Sequence, residues 1–175
     1  MAAPAREAQP AQPLETALDG VIPERRVHLC TGVLRRGRAI LMVASRYPNH
    51  DVPLWNLPGG RQEPGELLEH ALQREFAEET GLAVLIGRVL YVSESFDRST
   101  ATHFTNVTFA VEAEGEPAQP SGDAHAVECA WVALEDVGKR LAVRVVREPL
   151  CSYLAGEPRN YFGYADAGIT IEFSD

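Results

Sequence analysis

The stretch GRQEPGELLEHALQREFAEETGL, residues 60–82, constrains this chain more than any other. Residues 66–80 read as a helix. Pro64 and Gly65 set its entry, and Gly81 stands where helices commonly end in a left-handed residue. At 100° per residue, Leu68 and Leu72 share one stripe, with Ala71 and Phe76 at its sides. Continued toward the C-terminus, that stripe meets Glu75 and Glu79, and Glu78 falls beside Ala71. The face that should turn inward therefore changes from apolar to carboxylate over its last turns.

Acidic residues on a helix ordinarily form a solvated face, but two costs weigh against that here. Glu75 is spaced i,i+4 from Glu79 and i,i+3 from Glu78, so like charges repel by roughly a few tenths of a kcal/mol per exposed pair, and more once desolvated. Glu78 and Glu79 also sit at the helix C-terminus, where the dipole disfavours each anion by roughly 0.3–1 kcal/mol. Arg74 offsets part of this by pairing with Glu78. A bound cation explains the cluster best. All-oxygen donors favour Mg²⁺ or Mn²⁺, and Mg²⁺ commonly bridges carboxylates to substrate phosphates. The turn at Gly59 and Gly60 lets backbone carbonyls approach such an ion with no side chain in the way. Metal and carboxylate together point to water activation and charge neutralisation on a phosphate.

The segment resembles the Nudix box, G-x5-E-x7-R-E-U-x-E-E-x-G-U, where U is a bulky apolar residue. Gly60, Glu66, Arg74, Glu75, Phe76, Glu78, Glu79, Gly81 and Leu82 fill its fixed positions, with Phe76 aromatic where U is usually aliphatic. The likeness extends more loosely over residues 27–154. Leu57-Pro58-Gly59-Gly60 is similar to the entry to the box, and Trp131-Val132 with Leu134-Glu135-Asp136 to a late strand-to-helix turn. The resemblance implies an α/β (α+β) fold, a mixed β-sheet sandwiched between α-helices. It implies that Glu75, Glu78 and Glu79 bind Mg²⁺ or Mn²⁺, helped by a carbonyl of Gly59 or Gly60. It also implies that Glu75 or Glu79 helps deprotonate the attacking water, that Arg74 holds the glutamates in register, and that Glu66 supports the loop-helix geometry. Gly60, Glu66 and Gly81 are then the structural support of the box. In some members a later acid is a ligand or base; Asp123 and Glu128 are the candidates here, with Glu112 and Glu114 behind them.

Specificity in such proteins lies outside the box. Phe96 stands where a proline would mark ADP-ribose, and Asp97, Arg98 and Ser99 where a tyrosine would mark dinucleoside polyphosphates. Arg46, Tyr47, His50 and Trp55 precede the box within reach of a cleft. An arginine there pairs with phosphate and an aromatic stacks a base, or they are a surface cation and core aromatics. His103 and His125 read as polar strand or loop residues, and Tyr161, Phe162 and Tyr164 as packing groups or the mouth of a pocket.

The rest of the chain sets bounds. The 175 residues divide into a Pro-containing N-terminal arm, 1–24, and a hydrolase domain, 25–175. Within the arm, residues 14–18 could form a short docking helix. Strands are expected at 27–34 and 39–44 as a hairpin, at 54–57, and over 82–96, whole or broken at Gly87. Further strands are expected at 103–112, 127–133 and 169–173, with a helical region over 134–154 that breaks near Gly138 and an irregular stretch over 159–167. A net charge of −9 argues against a nucleic-acid partner held by a basic surface. No long apolar run or signal peptide points to a membrane. Cys30, Cys129 and Cys151, odd in number and far apart, read as reduced thiols in a cytoplasmic protein.

The expected function is a metal-dependent hydrolase that cleaves the diphosphate linkage of a nucleoside diphosphate joined to another moiety, a nucleotide sugar or ADP-ribose-like compound. The alternatives are a nucleoside triphosphate pyrophosphohydrolase with a housecleaning role, oxidised nucleotides included, and a non-catalytic nucleotide-sensing module. Such modules often lose box glutamates, and this chain keeps all of them. The expected partner is a nucleotide-type small molecule, with a homodimer as the assembly similar proteins commonly form.

Overall fold

The computed structural model describes residues 25–120, 125–168 and 170–171. Strand β1 (Arg25–Arg36) turns at Gly37, whose φ is 58°, into β2 (Ala39–Ser45), pairing Arg35 with Ile40 as the expected hairpin. β3 (Leu54–Asn56) adds antiparallel to β2, and β4 (Gly59–Arg61) antiparallel to β1 with Cys30 opposite Gly60. Helix α1 (Leu68–Thr80) follows, then the antiparallel pair β5 (Leu85–Asp97) and β6 (Thr102–Glu112). β6 lies parallel to β1, and β7 (Ala126–Ala133) antiparallel to β2. Two helices, α2 (Val137–Arg140) and α3 (Arg144–Leu154), precede β8 (Tyr161–Tyr164), which runs parallel to β5. The sheet order is β3-β2-β1-β6-β5-β8, with β4 also on β1 and β7 also on β2.

β1 and β2 read as near-continuous apolar runs because both their faces are covered. Cys30, Leu34, Leu41 and Val43 turn to one side, where they meet Ala71, Leu72 and Phe76 of α1. Val33, Ile40 and Met42 turn to the other, against Val137 of α2, Leu150 of α3 and Leu141 between them. Helices thus cover the mixed sheet from both sides, as expected. Among the described residues no helix is long and apolar enough to cross a membrane.

Several boundaries depart from the sequence reading. α1 begins at Leu68 instead of Glu66, because the Glu66 N–H closes a turn onto the Glu63 carbonyl and its carboxylate accepts the Glu63 N–H. Residues 59–61, expected as a turn, pair as β4. β5 is one strand, and near Gly87 its register with β6 shifts instead of breaking. The break in the late helical region falls at residues 141–143: Leu141 is extended (φ −81°, ψ 106°) and buried, while Gly138 stays inside α2. The irregular stretch contains β8. The arm over 1–24 and its docking helix lie outside the described residues. So does most of the last expected strand, of which residues 170 and 171 are not in a strand.

Gly32 faces α1 between Cys30 and Leu34. A Cβ there would lie 2.6 Å from both the Phe76 ring and Val111. Gly32→Ala should therefore overpack this interface and cost about 1–3 kcal/mol. Urea unfolding checks this through a lower midpoint at unchanged slope, and an unchanged midpoint would show a looser contact.

Candidate active site

α1 presents its carboxylates to β4 because Phe76, Leu72 and Ala71 anchor its apolar stripe on the sheet. Its C-terminus is fixed by Gly81 at φ 69°, whose N–H donates to the Ala77 carbonyl, and by the Thr80 hydroxyl, which donates to the Phe76 carbonyl at 2.6 Å. The antiparallel pairing of β4 with β1 then brings Gly59 and Gly60 against the helix. The Gly59 N–H donates to Glu79 Oε2 at 2.9 Å. Gly59 has φ 142°, and a Cβ on it would collide with the Cys30 carbonyl; a Cβ on Gly60 would collide with the Glu75 carboxylate. Both positions require glycine because backbone and carboxylate approach so closely.

Arg74 ties the loop before α1 to the helix. Its Nε donates to Glu66 Oε1 at 2.9 Å, and its Nη2 to Glu66 Oε2 and to the Arg61 carbonyl, each at 3.0 Å. Its Nη1 donates to Glu75 Oε1 at 2.9 Å and stands 3.6 Å from Glu78 Oε2. This fork holds Glu66 well below the usual carboxylate range, at about 2, and raises the proton affinity of Arg74 itself.

Glu75 and Glu79 are shifted the other way. Glu79 is only 7% exposed, and burial pushes its carboxyl up to about 8; the Gly59 N–H opposes this, and Glu75 and Glu78 add to it. Burial also raises Glu75 against the opposing pull of Arg74. Glu78 is more than half exposed. These are partly dry carboxylates short of positive charge, with oxygen donors only. That fits a hard divalent cation such as Mg²⁺ or Mn²⁺. As they stand, among the described residues no three His, Cys, Asp or Glu side chains already form a metal cage. Arg74 and the Gly59 N–H engage Glu75 and Glu79 instead.

The glutamates open on a cleft of about 890 Å³. Its walls include Gly59, Gly60, Arg61 and Arg74, with Ser45, Tyr47 and Asn56 from β2, β3 and the segment between them. Tyr47 is buried beside His125, ring centroids 4.6 Å apart at 78°, and its hydroxyl bonds the Asn56 side chain. Burial first, and Glu79 second, raise that hydroxyl to about 12. Arg46 lines an adjoining hollow of about 560 Å³, which shares Tyr47 and His125 with the cleft.

Other sequence candidates lie elsewhere. Trp55 is half-buried on the far side of β3, under the Arg140 guanidinium at 4.8 Å. Asn56, its neighbour, takes the place in the cleft. Glu128 is exposed on β7 and does not line the cleft; a register shift between Ala44 and Ser45 puts Ala126 there instead. Asp123 lies outside the described residues. His103 pairs with Glu94 at 3.4 Å, away from the cleft. Arg25, Arg26, His28 and Arg61 line the cleft although the sequence reading did not select them. For Arg61 the signal was adjacency to Gly60, and for Arg26 and His28 the alternation of β1 leading into Cys30; Arg25 carried no such signal.

A family model, the NUDIX domain, matches residues 24–152, and the chain belongs to that family. The chain is 41% identical over 78 residues to a protein of Bacillus subtilis (strain 168) named "Putative 8-oxo-dGTP diphosphatase", covering 43% of this chain and 50% of that one. It is 33% identical over 97 residues to the ADP-ribose pyrophosphatase of Methanocaldococcus jannaschii, covering 55% and 57%. The chain thus spans about half the length of the curated relatives it matches. Its fold is similar to that of a NUDIX hydrolase from Nitrosomonas europaea, with a TM-score of 0.66, 22% identity, and coverage of 78% of this chain and 93% of that one.

Burial of Glu79 has a consequence for the metal-free protein. Its folded carboxyl titrates near 8 against an ordinary 4.5, so folding favours the protonated form. That contribution is complete below the unfolded value and is lost as pH rises through the folded one. With chelator present, Glu79→Gln should gain in Tm over the parent as pH climbs from about 5 to about 9. A Tm difference that stays flat with pH would show that Glu79 is solvated.

Proposed function

We propose that residues 25–175 form a divalent-metal-dependent hydrolase that cleaves the diphosphate anhydride of a nucleoside diphosphate joined to another moiety, in the cytoplasm. The observation that carries this reading is the convergence of Glu75, Glu78 and the buried Glu79 with Gly59 and Gly60 on one cleft wall. Glu75, Glu78 and Glu79, with a carbonyl of Gly59 or Gly60, would hold Mg²⁺ or Mn²⁺. When bound, such an ion supplies charge neutralisation on the phosphate and a more acidic water.

The chain's own groups do the rest. Arg74 keeps Glu75 and Glu78 from swinging apart, and Glu66 fixes Arg74. The water oxygen bonds to phosphorus as the bridging P–O bond breaks, and the bridging oxygen leaves with the electron pair on the departing phosphate. The water's proton goes to Glu75 or Glu79, both on the cleft wall. Arg61, beside Gly60 on the cleft wall, would meet the scissile diphosphate. The hollow beside the cleft, with Arg46 and His125, offers room for a second large end, so binding energy from non-reacting parts can position the anhydride.

The name of the Bacillus relative favours a second reading, a nucleoside triphosphate as substrate. A substrate panel with Mg²⁺ and Mn²⁺, products weighed by mass spectrometry, separates the two. A kcat/KM for triphosphates about tenfold or more above every diphosphate-linked compound would overturn the first reading. Glu78→Gln and Glu79→Gln should each lower kcat by ~10²-fold or more with the fold retained, and chelation should abolish turnover. Full activity after thorough chelation would remove the metal from the mechanism.

A further inference from the structure

We propose that the β1 end of the cleft is a subsite for a phosphate group beyond the scissile diphosphate, held by Arg25 and Arg26 with His28. The class of substrate is then a diphosphate-linked compound whose far end is itself phosphorylated. This rests on the hydrolase reading above and narrows it.

The chain carries a net charge of −9, yet arginines line its cleft as well as glutamates. The glutamates of α1 form one wall, and Arg25, Arg26 and His28 of β1 stand on another. Arg25, Arg26 and His28 are exposed. Among the described residues no carboxylate lies within ion-pair distance of Arg25 or Arg26. On the open side of β1 the Gln62 N–H donates to the His28 carbonyl, and Glu63 after it lines the same cleft outside ion-pair distance; the β6 side gives the two arginines no carboxylate. Arg26 stands opposite His103 and His28 opposite Thr105 on β6, and Glu94 on β5 is already taken by His103, Thr105 and the Tyr161 hydroxyl. Two guanidinium groups in an acidic protein, on a cleft wall and without a carboxylate partner among the described residues, form a site for an anion.

Position separates that anion from the scissile diphosphate. Cys30 pairs with Gly60, so the box lies beside that point of β1. Arg26 is four residues back along the strand, roughly 13 Å at ~3.3 Å per residue. The two phosphorus atoms of one anhydride span far less. Arg61 lines the near end, where Arg74 is committed to Glu66 and Glu75; Arg25 and Arg26 stand at the far one.

The test uses a matched pair: a nucleoside diphosphate sugar, and the same compound with one more phosphate monoester on its sugar. The native protein should favour the phosphorylated member by about tenfold or more in kcat/KM, and this ratio should fall as salt rises. The double variant Arg25→Gln/Arg26→Gln should bring the ratio close to one. Arg35→Gln/Arg38→Gln, the same loss of two charges at exposed hairpin positions outside the cleft lining, should leave the ratio at its native value. A native ratio near one, or a double variant that lowers both substrates equally, overturns the subsite and returns these arginines to the scissile diphosphate. If neither compound is hydrolysed, the hydrolase reading fails on its own account, and equilibrium binding of the same pair decides the subsite. Tighter binding of the phosphorylated compound, lost in the double variant, upholds it; equal affinities overturn it.

Discussion

The guanidinium of Arg74 makes the rest of this site physically tenable. Four glutamates, at 66, 75, 78 and 79, lie at one end of one short helix and the loop before it. Without a central cation their repulsion would splay the loop from the helix, because burial strengthens every like-charge term. Arg74 spends its donors on Glu66, Glu75 and the Arg61 carbonyl, joining the start of the loop to its end and both to α1. Arginine suits this position because its planar fork meets a carboxylate in a bidentate manner while a third donor reaches the backbone. Glu79 lies outside that reach. It accepts one Gly59 N–H, and burial pushes its carboxyl up.

The spacing of residues 60–82 made this helix, its capping glycine and its inward carboxylates legible, because each position encodes a direction on a 3.6-residue turn. The hairpin and the two-sided burial of β1 and β2 were legible for the same kind of reason. What escaped depended on partners distant in sequence. Nothing local says that residues 59–61 pair with Leu29, Cys30 and Thr31, or that 161–164 extend the sheet at β5; strands this short are set by the edge that receives them. The helix break moved from Gly138 to Leu141 because burial of Leu141 outweighed the intrinsic weakness of glycine in a helix.

Trp55 and Glu128 show how a period of two decides a site. β2 faces the cleft with Val43 and Ser45, so on β3 the residue paired with Val43, Asn56, faces it too. Trp55 pairs with Ala44 and must face away. On β7 the register shift opposite Ala44 and Ser45 skips Val127, which leaves Glu128 paired with Ala44 and outside the cleft. Both residues are chemically suitable and lie on the wrong face, and a shift of one residue would have exchanged them for their neighbours.

The floor beneath the glutamates explains the direction of their titration. Cys30 and Cys129 are buried beside α1, and burial raises each thiol to about 11, so at neutral pH both are uncharged. Cys30 offers the Gly60 carbonyl only a long contact, 3.7 Å from its sulfur. Glu79 stands close enough to raise Cys129 further. A floor of serines or asparagines would donate hydrogen bonds to Glu79 and draw its proton affinity back toward the ordinary range. A floor of uncharged thiols and apolar groups gives nothing back, so relief has to come from the cleft side. The same dry floor that makes the carboxylate cluster costly therefore directs its affinity for positive charge toward the opening where a substrate would enter.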